Sequence, residues 1–390
     1  MDRPIVTHLN ASTPFLTDRR AQALCSAIDA AGHVALFVGG CVRNAIMDAP
    51  ASDIDISTDA LPQDVIRICK AAGFRVVPTG IDHGTVTIVV DGAPFEVTTF
   101  RRDVATDGRR AVVAFSKDVA EDARRRDFTM NALYADRTGL IIDPLGGLPD
   151  ARARRVRFIE DAGQRIREDY LRTLRFFRFH AWYANPDEGW DVDALDGIAA
   201  NLDGLNSLSA ERVGAEMLKL LAAPEPTAAV CVMEQTGVLG HILPCATSTL
   251  VGPLVHLEGL SGATIDPVNR LAAMGGDDVA ARLRLSRKMQ RQLDSTLENS
   301  TSMLGVHALG HAAGAEAGIG ALLLRSAMAN RVLEPGDVDA VLQGAGTEFP
   351  VKSQDIPGLS GAALGARLKA LKQLWLASDL TLTKKALLTA

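Results

Sequence analysis

The spacing of hydrophobic and polar positions changes about 160 residues into the chain. Before that point, short apolar runs such as "HVALFVGG" (33–40) alternate with segments of helical spacing, which predicts strands and helices in turn. Two β-branched runs in "TVTIVVDGAPFEVTTF" (85–100) flank Asp91-Gly92, a pattern that predicts a β-hairpin. Later segments such as "LSAERVGAEMLKLLAA" (208–223) have apolar residues at helical spacing. The chain is therefore predicted to be α+β: a mixed sheet with helices, followed by an all-helical remainder. The other elements predicted before residue 80 are helices at 21–31, 41–47 and 61–73 and a strand at 52–58.

The predicted strand "SDIDIST" (52–58) carries two carboxylates within a run of isoleucines. Residues two apart share a face of a strand, so Asp53 and Asp55 are predicted to point one way and the two isoleucines into the core. Two adjacent carboxylates repel each other unless a cation lies between them, and Mg²⁺ prefers oxygen ligands. Glu96, on the second arm of the hairpin, offers a third carboxylate, which predicts a two-metal site for phosphoryl transfer. Solvated aspartates on a strand edge are the plainer alternative.

A glycine pair precedes this strand. Gly39 and Gly40 follow a predicted strand and open the predicted helix that carries Arg43. A glycine backbone can approach a phosphate closely, amides at a helix start attract anions, and a guanidinium fork suits a phosphate. The segment matches neither the GxGxxG dinucleotide pattern nor the GK[ST] of a P-loop. The layout therefore predicts a triphosphate beside the metals.

Two arginine-rich segments follow. In "RRRDFTMNAL" (124–133), Arg126 and Asp127 predict either a helix capped by the aspartate or a nucleotide contact. In "REDYLRTLRFFRF" (167–179), an aspartate and three arginines stand three residues apart, which predicts a row along one helix. An aspartate accepts and an arginine donates hydrogen bonds, so Asp169 and Arg172 together would favour the bases C and A over U and G. An ordinary surface salt bridge is the plainer alternative. The row consists of Asp169, Arg172, Arg175 and Arg178.

Composition narrows the classes of protein. A length of 390 residues predicts two or more domains, and a hydrophobic content of 47% argues against global disorder. The net charge of −6 argues against a positively charged coat, yet residues 151–180 hold nine arginines against four acids, enough for a local phosphate site. Five scattered cysteines without a CxxC pair predict reduced thiols, with neither disulfides nor zinc. Without a long apolar run or a signal-peptide pattern, we expect a cytoplasmic protein with no membrane contact.

Four motifs, in order across about residues 35–220, resemble the class II (bacterial-type) CCA tRNA nucleotidyltransferase and poly(A) polymerase family of the polymerase-β nucleotidyltransferase superfamily. "GGCVRNAI…SDIDI" resembles its GGxVRD…DxD motif, "RRDFTMNAL" its RRDFTINAL, "EDYLRTLRFFRF" its EDxxRxxRxxRF and "LSAERVGAEMLK" its S-x-ERI-x-x-E. The resemblance implies a polymerase-β-like catalytic head at 1–150. It also implies a helical neck at 151–220 that recognises the base, and a helical body and tail at 221–390 that bind tRNA.

The resemblance implies template-independent addition of CCA to tRNA 3′ ends from CTP and ATP. It implies that Asp53 and Asp55 are catalytic and hold Mg²⁺, and Glu96 matches the superfamily's third carboxylate in position. The residues implied to bind the nucleotide are Gly39, Gly40, Arg43, Arg126, Asp127, Asp169, Arg172, Arg175 and Arg178.

Several alternatives stay open at this point. Asn44 stands where the family pattern usually has aspartate, so any role that needs a charge there is in question. Segment 101–117 fills the position of the family's flexible loop, which argues against CC-only addition, whereas A-only addition and poly(A) synthesis remain alternatives. A non-catalytic nucleotide sensor and a small-molecule nucleotidyltransferase are less consistent with the intact motifs and the long helical remainder. "RLRLSRKMQRQL" (282–293) predicts either a phosphate-contacting helix or a solvated face.

Overall fold

The computed structural model describes residues 8–78, 80–107 and 110–390, with the backbone alone at Asp82 and within 103–113. The chain forms two compact units, of which the first ends at Gly204 and the second runs from Leu205 to Ala390. The first holds all the described strands together with helices, and the second is helical, so the predicted α+β class is confirmed. The predicted division at residues 150 and 220 stays a prediction.

The first unit is built on a seven-stranded mixed sheet in the order β3-β4-β5-β2-β1-β8-β9, beside a separate β6-β7 hairpin. Strand β1 pairs antiparallel with β2, and β2 pairs parallel with β5. The predicted hairpin is confirmed as β4 and β5, and its turn has positive φ at Asp91 (46°) and Gly92 (80°), as a tight hairpin turn requires. The strands are β1 Ala35–Val38, β2 Asp55–Thr58, β3 Arg75–Val77, β4 Thr85–Val90, β5 Ala93–Thr99, β6 Arg101–Asp107, β7 Arg110–Phe115, β8 Tyr134–Ala135 and β9 Ile141–Ile142.

Helices account for most of the remaining chain, and the three predicted before residue 80 are confirmed as α2, α3 and α4. In the first unit they are α1 Pro14–Thr17, α2 Arg19–Ala30, α3 Gly40–Ile46, α4 Pro62–Ala71, α5 Val119–Arg124, α6 Leu148–Ala153, α7 Ala162–Glu168, α8 Leu171–Tyr183 and α9 Val192–Ala199. In the second they are α10 Ala210–Leu221, α11 Thr227–Gln235, α12 Val238–Ile242, α13 Val251–Ser261, α14 Pro267–Met274, α15 Val279–Arg282, α16 Arg287–Ser300, α17 Val306–Ala313, α18 Ala315–Met328, α19 Asp337–Ala345, α20 Gly361–Ala377 and α21 Lys384–Thr389.

The core of the first unit surrounds β1, whose four residues are all buried. An apolar strand without alternation is typical of a central position covered on both faces. Phe100, Tyr134 and Ile159 pack with Leu36 and Val38 of this strand. The strand ends at Val38, and Gly39 follows it as the residue before α3.

The second unit is a set of packed helices. At Gly310 of α17, an added Cβ would lie 1.9 Å from the carbonyl oxygen of Val341 in α19, so only glycine permits this close approach of two helices. Helix α16 covers most of the basic segment 282–293; it buries Leu293 and leaves Arg287 and Arg291 exposed. A role of that helix in phosphate binding stays a prediction.

Three smaller predictions can be compared with this fold. All five cysteines are free thiols. None of the described helices is long and apolar enough to cross a membrane. Segment 101–117 contains the β6-β7 hairpin, of which residues 108 and 109 lie outside the described part of the chain.

Candidate active site

Two of the three carboxylates predicted to be catalytic lie on two neighbouring parallel strands. In the register of β2 and β5, Asp55 stands directly opposite Glu96, so the predicted approach of these two residues is confirmed. Strand β2 begins at Asp55, so the prediction that Asp53 lies on this strand is wrong. Asp53 belongs to the exposed segment that leads into the strand, because β1, the antiparallel partner of β2, ends opposite Asp55 and offers no further pairing. Of the two isoleucines, Ile56 is buried and Ile54 only half-buried.

These carboxylates share an open cavity of about 560 Å³. Partial desolvation in the cavity, followed by the charge of Glu96 and a smaller effect of Asp53, raises the pKa of Asp55 to about 6. Its surroundings disfavour the ionised form of Asp55, and a bound cation would stabilise that form. The cavity is lined by Asp18, Arg20, Ser52, Asp53, Ile54, Asp55, Thr87, Ala93, Pro94, Phe95 and Glu96.

The donors in this cavity fit Mg²⁺. They are carboxylate oxygens, the ligands a hard cation prefers. Within the described part of the chain, no three Asp, Glu, His or Cys side chains lie close enough together to form a closed cage. A closed cage is not needed, since Mg²⁺ in phosphoryl-transfer sites usually takes one or two carboxylates and completes its shell with water and substrate phosphate.

The glycine pair brings two elements close to the end of β1. Gly39 has φ 69°, and an added Cβ there would lie 3.3 Å from Nη1 of Arg126. An added Cβ on Gly40 would lie 3.0 Å from Oγ of Ser52, next to the first aspartate. The glycines therefore allow both the Arg126 guanidinium and the carboxylate segment to approach the turn.

Arg43 follows this turn, and its side chain lies in the protein interior. Its side chain is buried; Nη1 donates to Oδ1 of Asn131 (2.5 Å), and Nε and Nη2 donate to Oδ1 of Asn44 (3.1 and 2.8 Å). The guanidinium also lies 4.0 Å from the ring centre of Tyr183 in α8. Desolvation lowers the pKa of Arg43. A direct phosphate contact by Arg43 stays a prediction, since the structure shows it linking α3 to α8.

Arg126 lies beside the glycine turn. Its Nε donates to Oη of Tyr134 (3.2 Å) and its Nη2 to Oδ2 of Asp122 (3.2 Å), which fixes the guanidinium beside Gly39. The positive charge of Arg126 also acts on Asp55, whose pKa it lowers against the effects of burial and Glu96. A contact between Arg126 and a triphosphate stays a prediction.

Asp127 is buried and joined to α8. Its Oδ2 accepts from Nε (2.7 Å) and Nη2 (2.5 Å) of Arg175, and its Oδ1 accepts from Nδ2 of Asn131 (3.0 Å) and from N of Phe128 (2.9 Å). Burial would raise the pKa of Asp127, but Arg175 and Asn131 outweigh it and lower the pKa to about 2. No α-helix begins at Asp127; a short 3₁₀ turn follows Phe128. The carboxylate therefore joins the segment after α5 to α8 instead of capping an α-helix.

Replacing Asp127 by asparagine is expected to destabilise the protein by about 2 kcal/mol at pH 7, because the folded-state pKa of about 2 lies below the ordinary value of 3.8. A lowered pKa contributes stability that is present above pH 4 and is lost as the pH falls toward 2. Chemical denaturation of the wild type and the variant should show a difference in the free energy of unfolding that narrows as the pH falls from 4 toward 2. Asp64→Asn, at an exposed pair with Arg67, is the control. A difference in unfolding free energy that does not vary with pH would contradict the lowered pKa assigned to Asp127.

The predicted base-reading row lies mostly on α8. Arg172, Arg175 and Arg178 are on this helix, but Asp169 is not, since α7 ends at Glu168 and α8 begins at Leu171. Asp169 lies in the turn between them, where its Oδ1 accepts from N of Leu171 (3.2 Å). The prediction of one continuous helical row is therefore wrong at its first residue.

Arg172 is held in place by groups that the sequence did not point to. Its Nη1 donates to Oε2 of Glu168 (2.6 Å) and to O of Arg165 (2.9 Å), and its Nη2 donates to O of Arg125 (3.0 Å). Arg178 lies with its guanidinium 4.7 Å from the ring centre of Phe179. Recognition of the base by Arg172 stays a prediction.

Asp18 and Arg20 line the carboxylate cavity although no motif marked them. Oδ1 and Oδ2 of Asp18 accept from Nε (3.1 Å) and Nη2 (2.6 Å) of Arg20, and this bidentate pair holds the pKa of Asp18 at about 2. Asp18 stands three residues before the helix predicted at 21–31, and the structure shows it capping α2, an ordinary place for an aspartate.

A glycine turn and paired carboxylates at one end of a mixed sheet define the catalytic head of a nucleotidyltransferase. Residues 35–157 match the poly A polymerase head domain, and 192–250 match the family described as the probable RNA and SrmB-binding site of polymerase A. The mouse mitochondrial CCA tRNA nucleotidyltransferase 1 is 31% identical over 92% of this chain and 86% of its own length. The chain therefore belongs to the CCA tRNA nucleotidyltransferase and poly(A) polymerase family, as its motifs predict.

Two further comparisons agree. The CCA-adding enzyme of Geobacillus thermodenitrificans is 38% identical over 54% of this chain and 51% of its own length. The crystal structure of the Bacillus stearothermophilus CCA-adding enzyme in complex with CTP has a TM-score of 0.73 at 26% identity and covers 94% of both chains. The predicted fold, with a polymerase-type head followed by helical parts, is confirmed.

Proposed function

We propose that this enzyme adds CCA to the 3′ end of tRNA, using CTP and ATP and no nucleic-acid template. The observation that carries the proposal is that the carboxylate pair Asp55–Glu96 and the predicted base-reading helix α8 belong to one compact unit. Relatives named as CCA-adding enzymes and a neighbour in complex with CTP support the same activity. Cytoplasmic localisation stays a prediction.

The chemistry would take place at the carboxylate cavity. Asp53 and Asp55 would hold Mg²⁺, with Glu96 beside them. When bound, Mg²⁺ lowers the pKa of the attacking 3′-hydroxyl and neutralises the triphosphate. Arg126, fixed by Asp122 and Tyr134, binds and orients the phosphates from the side of the glycine turn. The 3′-hydroxyl attacks the α-phosphate, a new phosphodiester bond forms, and pyrophosphate leaves.

Base choice would fall to Asp169 and Arg172. Cytosine and adenine each present an amino donor beside a ring-nitrogen acceptor on the pairing edge. The carboxylate accepts from the amino group, and the guanidinium donates to the ring nitrogen. Uracil and guanine present the reverse, which leaves buried polar groups unpaired. Because Glu168 and two main-chain carbonyls hold Arg172 in place, the guanidinium does not turn to suit the wrong base.

The decisive experiment uses three tRNA substrates, which lack CCA, CA or A, each incubated with labelled CTP or ATP. A CCA-adding enzyme extends the first two with CTP and then ATP and the third with ATP alone, and it stops after the complete end. Extension of the third substrate only would indicate A-addition. An unlimited A tail would indicate poly(A) synthesis, and either of these results would overturn the proposal.

The RNA 3′ end is proposed to enter the carboxylate cavity. None of the described residues that line it is among those predicted to bind the nucleotide, so the cavity leaves room for the other substrate. Arg20→Ala is expected to raise KM for tRNA about fivefold, with little change in KM for CTP, because the guanidinium would contact the RNA phosphates. Steady-state kinetics measure this. Arg19→Ala, at the neighbouring exposed residue outside the cavity, is the control. Equal effects of the two variants on KM for tRNA would count against entry of the RNA 3′ end into this cavity.

A further inference from the structure

The side chain of Asn44 makes two hydrogen bonds of opposite kind. Its Oδ1 accepts from Nε and Nη2 of Arg43 (3.1 and 2.8 Å), and its Nδ2 donates to the carbonyl oxygen of Pro50 (2.7 Å). A guanidinium only donates and a carbonyl oxygen only accepts, so the orientation of the amide is fixed by its neighbours. Asn44 is also buried, and its contact with Arg43 is sheltered from water while its contact with Pro50 is partly so.

The segment between α3 and β2 is held to α3 largely through Asn44. The main-chain N of Ala49 donates to O of Asn44 (2.9 Å), one residue before the carbonyl that the side chain binds. Nη2 of Arg154 donates to O of Met47 (2.6 Å) at the start of the segment. After Pro50, no further hydrogen bond to α3 is recorded among the described residues before Asp53. Among the described residues, the contact from Asn44 to Pro50 is thus the last hydrogen bond to α3 before Asp53, and the next fixed residue is Asp55 in the sheet.

We propose that Asn44 is a positioning residue that fixes Asp53 through its side-chain donation to Pro50. Asp53 lies only three residues beyond Pro50, a span of about 10 Å at most. An aspartate has nearly the same shape and still accepts from Arg43, but its second oxygen faces the Pro50 carbonyl as acceptor against acceptor. The donor N–H of Asn44, which the family's usual aspartate lacks, is therefore a working part of the site in this chain.

The test compares Asn44→Asp with the wild type by hydrogen–deuterium exchange and by steady-state kinetics. We expect faster exchange confined to residues 47–53. We also expect a fall in kcat of about 10- to 100-fold at nearly constant KM for CTP, because a small displacement of a reacting group is costly. Asn44→Ala removes the same donor without adding a charge and is expected to give the same local change in exchange. The kinetic half of this test rests on the proposed function, whereas the exchange half does not.

Asn201→Asp is the matched control. Nδ2 of Asn201 donates to O of Gly197 (2.7 Å), so this variant loses the same kind of hydrogen bond at the end of α9, outside the carboxylate cavity. It should leave kcat and the exchange of 47–53 unchanged. Unchanged exchange at 47–53 in both Asn44 variants overturns the proposal, and so does faster exchange there with wild-type kcat. An inactive wild type would refute the proposed function, while the exchange data would still decide the role of Asn44.

Discussion

Asp53→Ala is expected to abolish nucleotide addition while leaving tRNA binding largely intact. Loss of this carboxylate removes one of two proposed Mg²⁺ ligands, which we expect to lower kcat by about 10³-fold or more, equivalent to about 4 kcal/mol. Binding should persist because removing a negative charge does not weaken attraction to RNA phosphates. Asp53 is exposed and precedes β2, so the fold should also be retained. Single-turnover addition of labelled CMP and a filter-binding assay measure the two effects separately.

Asp64→Ala provides the control for this experiment. Asp64 lies in the first turn of α4, where its partner is the exposed Arg67, outside the carboxylate cavity. Its loss should leave addition unchanged. Persistent activity of Asp53→Ala, within a few-fold of the wild type, would remove the metal assignment at that residue.

Arg172→Ala is expected to relax the choice of base and admit UTP or GTP. Without the guanidinium, the ring nitrogen of cytosine or adenine loses its donor, and the wrong bases no longer leave that donor unpaired. We expect discrimination, measured as the ratio of kcat/KM for CTP to that for UTP, to fall by about 10- to 100-fold. The effect should exceed the loss in rate with CTP itself.

Two companion variants separate base reading from stability. Arg167→Ala removes an exposed arginine at the end of α7 and should leave discrimination unchanged. Glu168→Gln keeps Arg172 but weakens its charged support, so it should lower discrimination by a smaller factor. If Arg172→Ala loses rate equally with CTP and UTP, the base-reading assignment is wrong.

The sequence predicted the catalytic sheet well because its signals are local. The Asp91-Gly92 turn joins two β-branched runs, so the hairpin and the position of Glu96 on its second arm follow from neighbouring residues. The alternation of charge and isoleucine around Asp55 predicted a strand, and parallel pairing with β5 confirmed its partner. The strand's starting residue was missed because β1 ends opposite Asp55, and that limit belongs to the partner strand.

The contacts of residues whose partners are distant in the chain could not be predicted from such local signals. Arg43 suggested a phosphate ligand, yet Asn131, 88 residues later, and Tyr183 of α8 hold it in the interior. Arg20 reaches the carboxylate cavity only because α2 packs beside the sheet. The role proposed for Asn44 depends on the carbonyl of Pro50, which no side-chain pattern can reveal.

The pair formed by Asp127 and Arg175 has a consequence for protein engineering. Because the buried carboxylate of Asp127 holds α8 at two guanidinium nitrogens of Arg175, a chimera that receives a foreign α8 without an arginine at this position would leave Asp127 without its partner. Removing one member of a buried ion pair costs more than exchanging both. A foreign α8 is therefore best introduced as a cassette that carries both members of this pair, with the cut placed at the boundary after Gly204.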